Sequence, residues 1–254
     1  MEQKVETPQK AAHSSSWSYE GETSPEHWNE ILDHSECGGS RQSPINIYTE
    51  EVSIGESGLD FDASFYNEET DIESITNNGH TIQYNFVSDK NYMVYQGDKY
   101  VLKQFHFHAP SEHTLNGVRY PLEVHMVHHN EEKNDFLVMG FFAVQGKPDP
   151  AFAFLGKYLP IQVGETKAID NDAFDFSQAY SGVEGDEKET FYHYKGSLTT
   201  PPCSEKVNWF VSGTPVNASL EQINMLKDLM PKDNYRGIQP LNDRKVIAQE
   251  FSWE

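Results

Sequence analysis

The sequence predicts a mainly β fold: a single domain built on a large, mostly antiparallel central sheet, with a few short helices at its periphery. Three observations carry this. Segments rich in β-branched and aromatic residues recur along the chain and are bounded by turn residues. Helical signals are few and short. From Trp17 onward no Gly/Ser-rich linker, repeat or low-complexity tract divides the chain, and 254 residues suffice for one large domain with a sizeable core.

Taken in order, residues 1–16 are polar, lack the apolar stretch of a signal peptide, and read as a disordered tail before a domain over 17–254. Ser24 is placed to cap a short helix with Pro25 at its first position. Strands are predicted over 81–87, 91–95, 100–108, 122–128, 136–144 and 207–211, several joined by short turns such as Gln96-Gly97-Asp98. Ser219, with Gln222 three residues later, forms a capping box ahead of Leu220, Ile223, Leu226 and Leu229, and Pro231 stops that helix.

Composition excludes several function classes. At 37% hydrophobic and 13% aromatic the chain is too apolar to stay disordered. Forty acidic against nineteen basic residues leave a net charge of -21, which repels nucleic acid. The acidic excess is spread over Glu50-Glu51, Glu68-Glu69, Glu131-Glu132 and 184–189, as in a solvated surface; adaptation to salt is a second reading. The longest apolar stretch, 136–144, is about half of what a helix needs to cross a bilayer, so no membrane span is expected. Cys37 and Cys203 are too few and too far apart for a CxxC motif or a multi-cysteine zinc finger. They are either separate buried thiols or one disulfide closing a long loop, which chain entropy credits with about 5 kcal/mol.

The chemistry concentrates in two strands. In Gln104-Phe-His-Phe-His108, alternation puts Gln104, His106 and His108 on one face and Phe105 and Phe107 on the other. Glu123-Val-His-Met-Val127 repeats the design, with Glu123, His125 and Val127 on one face. Asn116-Gly117 between them is a strong type I′ hairpin signal, and a two-residue turn there places position 108 opposite 125, with His106 on the diagonal. Cross-strand and diagonal neighbours lie roughly 5–8 Å apart, so three imidazoles converge. Pro110, which cannot donate to a ladder, points to a bulge in this connection. Three imidazole nitrogens and one open position are the pattern of catalytic zinc, and Gln104 and Glu123 are placed to hold the far nitrogens of His106 and His125. Such a metal lowers the pKa of bound water from about 15.7 to about 7.

These residues resemble those of the α-class carbonic anhydrases, and the similarity runs along nearly the whole chain. Besides the two histidine strands it rests on Pro25-Glu-His-Trp28, Arg41-Gln-Ser-Pro-Ile-Asn46, Asn77-Asn-Gly-His80, Ser111-Glu-His-Thr114, Ser197-Leu-Thr-Thr-Pro-Pro202 and Asn234-Tyr-Arg236, all in the family's order. The acidity quoted above for zinc-bound water is the value for carbonic anhydrase itself. The resemblance implies a large, twisted, mostly antiparallel sheet, Zn2+ bound by His106, His108 and His125, and reversible carbon dioxide hydration by attack of zinc hydroxide.

Carried over residue by residue, the resemblance implies that the Thr199 hydroxyl donates to the Glu112 carboxylate and so accepts from the nucleophile. Asn234 joins Gln104 and Glu123 behind the ligands. Val127, Val138, Leu198, Val207 and Trp209 match the apolar wall of the substrate pocket, which Thr200 also borders. His80 matches the shuttle histidine, whose ordinary pKa suits proton relay near neutral pH; Tyr19, Asn78 and Gln83 line the solvent network between it and zinc. Gln83 replaces the asparagine more usual there. Cys37 and Cys203 fall where extracellular and periplasmic members carry a disulfide, which favours a periplasmic or secreted protein. Sulfonamide and anion inhibitors, hydrolysis of activated esters, and a homodimer of the kind common among bacterial members are also implied.

Two rival readings have sequence support. His106-x-His108 with Glu112 resembles the first motif of a cupin-type metal enzyme, but Tyr100 and Pro121-Leu-Glu123 stand where a cupin wants its glycine and Pro-x-Gly. A silent binding module on the same fold would have lost a ligand; here His106, His108, His125, Glu112 and Thr199 are all present.

Overall fold

The structure, a computed structural model, describes residues 16–31, 33, 35–66, 70–169, 173–174 and 188–252. The tail expected over 1–16, Ser16 excepted, lies outside the described residues, as do Glu68, Glu69 and the acidic residues of 184–187. In chain order the described strands are β1 (Asn46–Ile47), β2 (Ser53–Ile54), β3 (Leu59–Phe65), β4 (Thr70–Asp71), β5 (Ser74–Asn77), β6 (Ile82–Asn85), β7 (Tyr92–Tyr95), β8 (Asp98–His108) and β9 (Thr114–Leu115). They continue with β10 (Leu122–Asn130), β11 (Asp135–Gln145), β12 (Thr166–Ala168), β13 (Ala173–Phe174), β14 (Lys188–Gly196), β15 (Val207–Ser212), β16 (Val216–Ala218) and β17 (Ile247–Ser252).

Thirteen of these strands make one large twisted sheet, in the order β12-β5-β6-β8-β10-β11-β15-β14-β17-β2, with β7 and β3 attached through β8 and β16 beside β11. Most pairs are antiparallel, but β11 runs parallel to β15 and β16, and β17 to β2. β11 sits mid-sheet with both faces covered, so Leu137 to Ala143 are all buried, which explains its continuous apolar run. The alternation of β8 sends Phe105 and Phe107 into one apolar cluster with Met126 and Phe152. Val127, Val138, Val207 and Trp209 form a second cluster, on the histidine side.

Three α-helices are described, α1 (Trp28–Ile31), α2 (Pro150–Gly156) and α3 (Leu220–Lys227), with one 3-10 turn at Gly21–Thr23. The capping box of α3 forms as expected between Ser219 and Gln222. The helix expected from Pro25 begins only at Trp28: the His27 amide closes a tight turn onto the Ser24 carbonyl, and the Ser24 hydroxyl donates to the Glu26 carboxylate at 2.6 Å. α2 starts with Pro150 and is capped by Asp149, whose side chain accepts from the Ala151 and Phe152 amides.

The expected strand register is displaced by two residues: His108 faces Glu123, not His125, and His125 faces His106. The turn itself is as the sequence indicates, with Asn116 and Gly117 at φ 51° and 79°. It closes Leu115 onto Val118, however, rather than β8 onto β10. Thr114 and Leu115 pair instead with Asn46 and Ile47 of β1, and Pro110, having no N–H, ends the ladder after His108. A slip of two preserves faces, so every imidazole stays on its expected side. The irregularity in the ladder falls near Lys103, between the Val127–Gln104 and His128–Leu102 pairs, and not at Pro110.

Candidate metal centre

His106, His108 and His125 each present one ring nitrogen within 4.8 Å of the other two. Their ring centroids lie 5.1 Å (106–108), 5.2 Å (106–125) and 4.6 Å (108–125) apart. The outer nitrogen of each ring meets an acceptor: His106 Nδ1 the Gln104 Oε1 at 2.9 Å, His108 Nδ1 the Asn234 carbonyl at 2.7 Å, His125 Nε2 the Glu123 Oε1 at 2.7 Å. Those acceptors fix the N–H outward and leave a lone pair inward on His106 Nε2, His108 Nε2 and His125 Nδ1. Burial pushes His106 well below the usual histidine range and lowers His108, which keeps both neutral. His108 Nε2 is a buried atom with no hydrogen-bond partner. Three imidazole nitrogens converging from rigid strands, one orphaned in the protein alone, are the donor set that zinc takes with a fourth position open.

Glu123 is the hub behind the trio. Its Oε2 accepts from the Glu112 and His113 amides at 2.8 Å each, and its Oε1 meets His113 Nδ1 and His125 Nε2 at 2.7 Å each. Burial raises its pKa, but His113 and His125 outweigh that and hold the carboxylate well below its usual range. His113 Nε2 meets the Tyr194 hydroxyl at 2.6 Å, which donates to Ser43 Oγ at 2.8 Å.

Thr199 and Glu112 are both buried at this face, but the expected bond between them is not made. Glu112 Oε1 accepts from the Arg236 amide at 2.9 Å; Oε2 has no hydrogen-bond partner and lies 3.4 Å from His108 Nε2 and 3.9 Å from His125 Nδ1. Oε1 is taken by the Arg236 amide and Oε2 is turned into the space beside the His108 and His125 rings, so neither oxygen receives the Thr199 hydroxyl. Val127, Val138, Val207 and Trp209 pack in one cluster, with Leu198 against it; Thr200 is half-buried. Trp209 Nε1 donates to the Ser197 carbonyl at 2.9 Å and so ties the wall to the segment bearing Thr199.

The family profile described as eukaryotic-type carbonic anhydrase matches residues 23–250. A carbonic anhydrase of Nostoc sp. is 37% identical, covering 93% of this chain and 87% of that protein; one of Neisseria gonorrhoeae is 36% identical, covering 93% and 90%. The solved α-carbonic anhydrase of Thermovibrio ammonificans, in complex with the inhibitor sulfanilamide, superposes with a TM-score of 0.81 at 36% identity, covering 91% of this chain and 98% of its own. The chain belongs to the α-carbonic anhydrase family. Its enzyme class is that of carbonic anhydrase, and the cupin reading is set aside.

Among the remaining residues that the carbonic anhydrase resemblance singled out, His80 is half-buried, and burial lowers its pKa. Its ring stacks on Trp17 at 3.7 Å between centroids and 13° between planes; the Tyr19 ring is 6.3 Å away. The Tyr19 hydroxyl is pushed well above its usual pKa by burial and then by Glu112. Asn78 Oδ1 accepts from the His80 and Thr81 amides at 2.9 Å each, and Gln83 Nε2 donates to Asn85 Oδ1 at 2.6 Å. Two of the polar atoms expected in a solvent network therefore serve the turn and the strand. Cys37 and Cys203 form a disulfide.

Sequence reasoning missed four residues of this site: His113, Tyr194, Arg236 and Trp17. His113 and Arg236 lie inside quoted motifs, but their partners are remote in sequence and no spacing announces them. Burial lowers the Arg236 pKa to about 10, and its guanidinium donates to Gln42 Oε1, the Ser43 carbonyl and the Cys37 carbonyl at 2.7, 3.0 and 2.8 Å.

Proposed function

We propose that this chain catalyses the reversible hydration of carbon dioxide to bicarbonate and a proton, with Zn2+ held by His106 Nε2, His108 Nε2 and His125 Nδ1. The observation that carries this is the trio itself: three imidazoles whose outer nitrogens are each held by an acceptor and whose inner nitrogens lie within 4.8 Å of one another. When bound there, zinc supplies a water acidic enough to furnish hydroxide near neutral pH.

This chain's own residues do the rest. Gln104, the Asn234 carbonyl and Glu123 hold the three rings in their metal-binding tautomers. Val127, Val138, Leu198, Val207 and Trp209 provide an apolar wall against which uncharged carbon dioxide rests. Glu112 is anchored through Oε1 by the Arg236 amide and has Oε2 without a hydrogen-bond partner, so a Thr199 hydroxyl turned to that oxygen would donate to it and leave its own lone pairs to accept a hydrogen bond from the nucleophile and orient it. The released proton leaves through His80, with Tyr19, Asn78 and Gln83 along its route. The stacking of His80 on Trp17 at the half-buried edge of the site supports that assignment.

The sulfanilamide complex of the Thermovibrio relative supports sulfonamide binding at the same centre. The disulfide supports an oxidising compartment, periplasmic or secreted. A colorimetric hydration assay tests the activity: the purified protein is expected to be active, silenced by a strong zinc chelator, restored by Zn2+, and inactive as His108→Ala. Activity that survives in the chelated protein and in that variant contradicts the proposal.

A further inference from the structure

We propose that the side chain of Asn234 is a positioning group that fixes the relay imidazole of His80 relative to the metal-ligand strand. The inference rests on the relay role given to His80 above. Asn234 is fully buried in the loop after α3 and touches the site twice over, by different atoms. Its backbone carbonyl meets His108 Nδ1 at 2.7 Å. Its carboxamide does something separate. Oδ1 accepts from the Ala109 amide at 2.7 Å, while Nδ2 donates to the His80 carbonyl at 3.0 Å and to the Phe107 carbonyl at 3.1 Å.

One planar amide therefore clips the residue that carries the relay to both residues flanking ligand His108. The rest of the His80 turn is local: Gly79 takes φ +82°, and Asn78 Oδ1 accepts from the His80 and Thr81 amides. Thr81 Oγ1 donates to the Phe107 carbonyl at 2.6 Å and holds the far side of that turn. On the His80 side the carbonyl bond from Asn234 is the long-range tie among the described residues. The ring is then oriented from outside by Trp17. Proton transfer depends steeply on the separation of donor and acceptor, and a misplacement of about 1 Å costs on the order of 10²-fold. A bond that sets this spacing is therefore felt in proton release before it is felt in carbon dioxide attack.

Asn234→Asp tests the proposal, because it keeps the volume, the backbone carbonyl to His108 and the acceptor for Ala109, and replaces the donor facing the His80 and Phe107 carbonyls by an oxygen that repels both. In weak buffer kcat is expected to fall about tenfold or more, while kcat/KM for carbon dioxide falls less than about threefold, and added imidazole is expected to recover kcat. A second readout needs no turnover: in the zinc-free protein the His80 ring-proton NMR resonances, shifted by the Trp17 ring, are expected to move toward those of a solvated histidine. His80→Ala is run beside it. If His80→Ala leaves kcat in weak buffer unchanged, the relay reading fails and this inference with it. If His80→Ala lowers kcat but Asn234→Asp lowers kcat and kcat/KM equally, or leaves kcat and the His80 resonances unmoved, the positioning role alone is overturned.

Discussion

Replacing Glu123 by glutamine tests how far the strength of the metal centre depends on the groups behind the ligands. The carboxylate is fully buried and receives four N–H groups, so the neutral amide must place an NH2 against one pair of them. If the NH2 takes the Oε2 position it faces the Glu112 and His113 amides, donor against donor. If it takes the Oε1 position it donates to His125 Nε2, which moves the ring proton to Nδ1 and removes the lone pair that would bind metal. Either way one charge-assisted bond to a ligand is weakened. Such bonds are worth about 1.5–3 kcal/mol, in line with the 10–100-fold loss in metal affinity typical of this kind of change. Competition with a chromophoric chelator at pH 7 is expected to show that loss in protein that remains folded by circular dichroism. A zinc affinity within about twofold of the parent refutes the reasoning.

Three further outcomes follow from the same structure. His80→Ala is expected to slow maximal hydration in weak buffer and to be restored by added imidazole; equal rates in both buffers remove His80 from the relay. Replacing both cysteines by serine is expected to lower the free energy of unfolding by about 5 kcal/mol on the chain-entropy account of a bridge spanning 166 residues, measured by urea titration, and a loss below about 1 kcal/mol contradicts it. Burial pushes His128 and His193 down to about 4. The unfolded chain, with histidines near about 6.5, therefore binds more protons than the folded one between these values, and stability falls as pH falls through that window. Each contributes a slope of up to about 1.4 kcal/mol per pH unit and nothing above neutrality; flat stability of the zinc-free protein from pH 6.5 to 4.5 rules this out.

What the sequence made legible was local. Two-residue alternation put Gln104, His106, His108, Glu123 and His125 on one face, and that placement holds in the structure. Register was not legible, because the Asn116-Gly117 turn folds against β1, a strand some seventy residues earlier, rather than joining the histidine strands directly. The parallel pairing of β11 with β15 was hidden for the same reason: nothing within either strand names a neighbour so distant in sequence. α2 did carry a local signal that was missed, Asp149 as a cap before Pro150. His113 shows the limit most clearly. A single histidine beside Glu112 has no pattern of its own, and only the folded chain brings it between Glu123 and Tyr194. The missing Thr199–Glu112 bond is of the same kind, since Oε1 of Glu112 is taken by the amide of Arg236, a residue remote in sequence.

X-ray diffraction recorded on either side of the zinc absorption edge addresses the metal centre most directly. One anomalous peak is expected in the described chain, about 2.0–2.1 Å from His106 Nε2, His108 Nε2 and His125 Nδ1, at full occupancy in hydrating protein. Active crystals with no peak there, or with the ion bound by any other set of side chains, contradict the account.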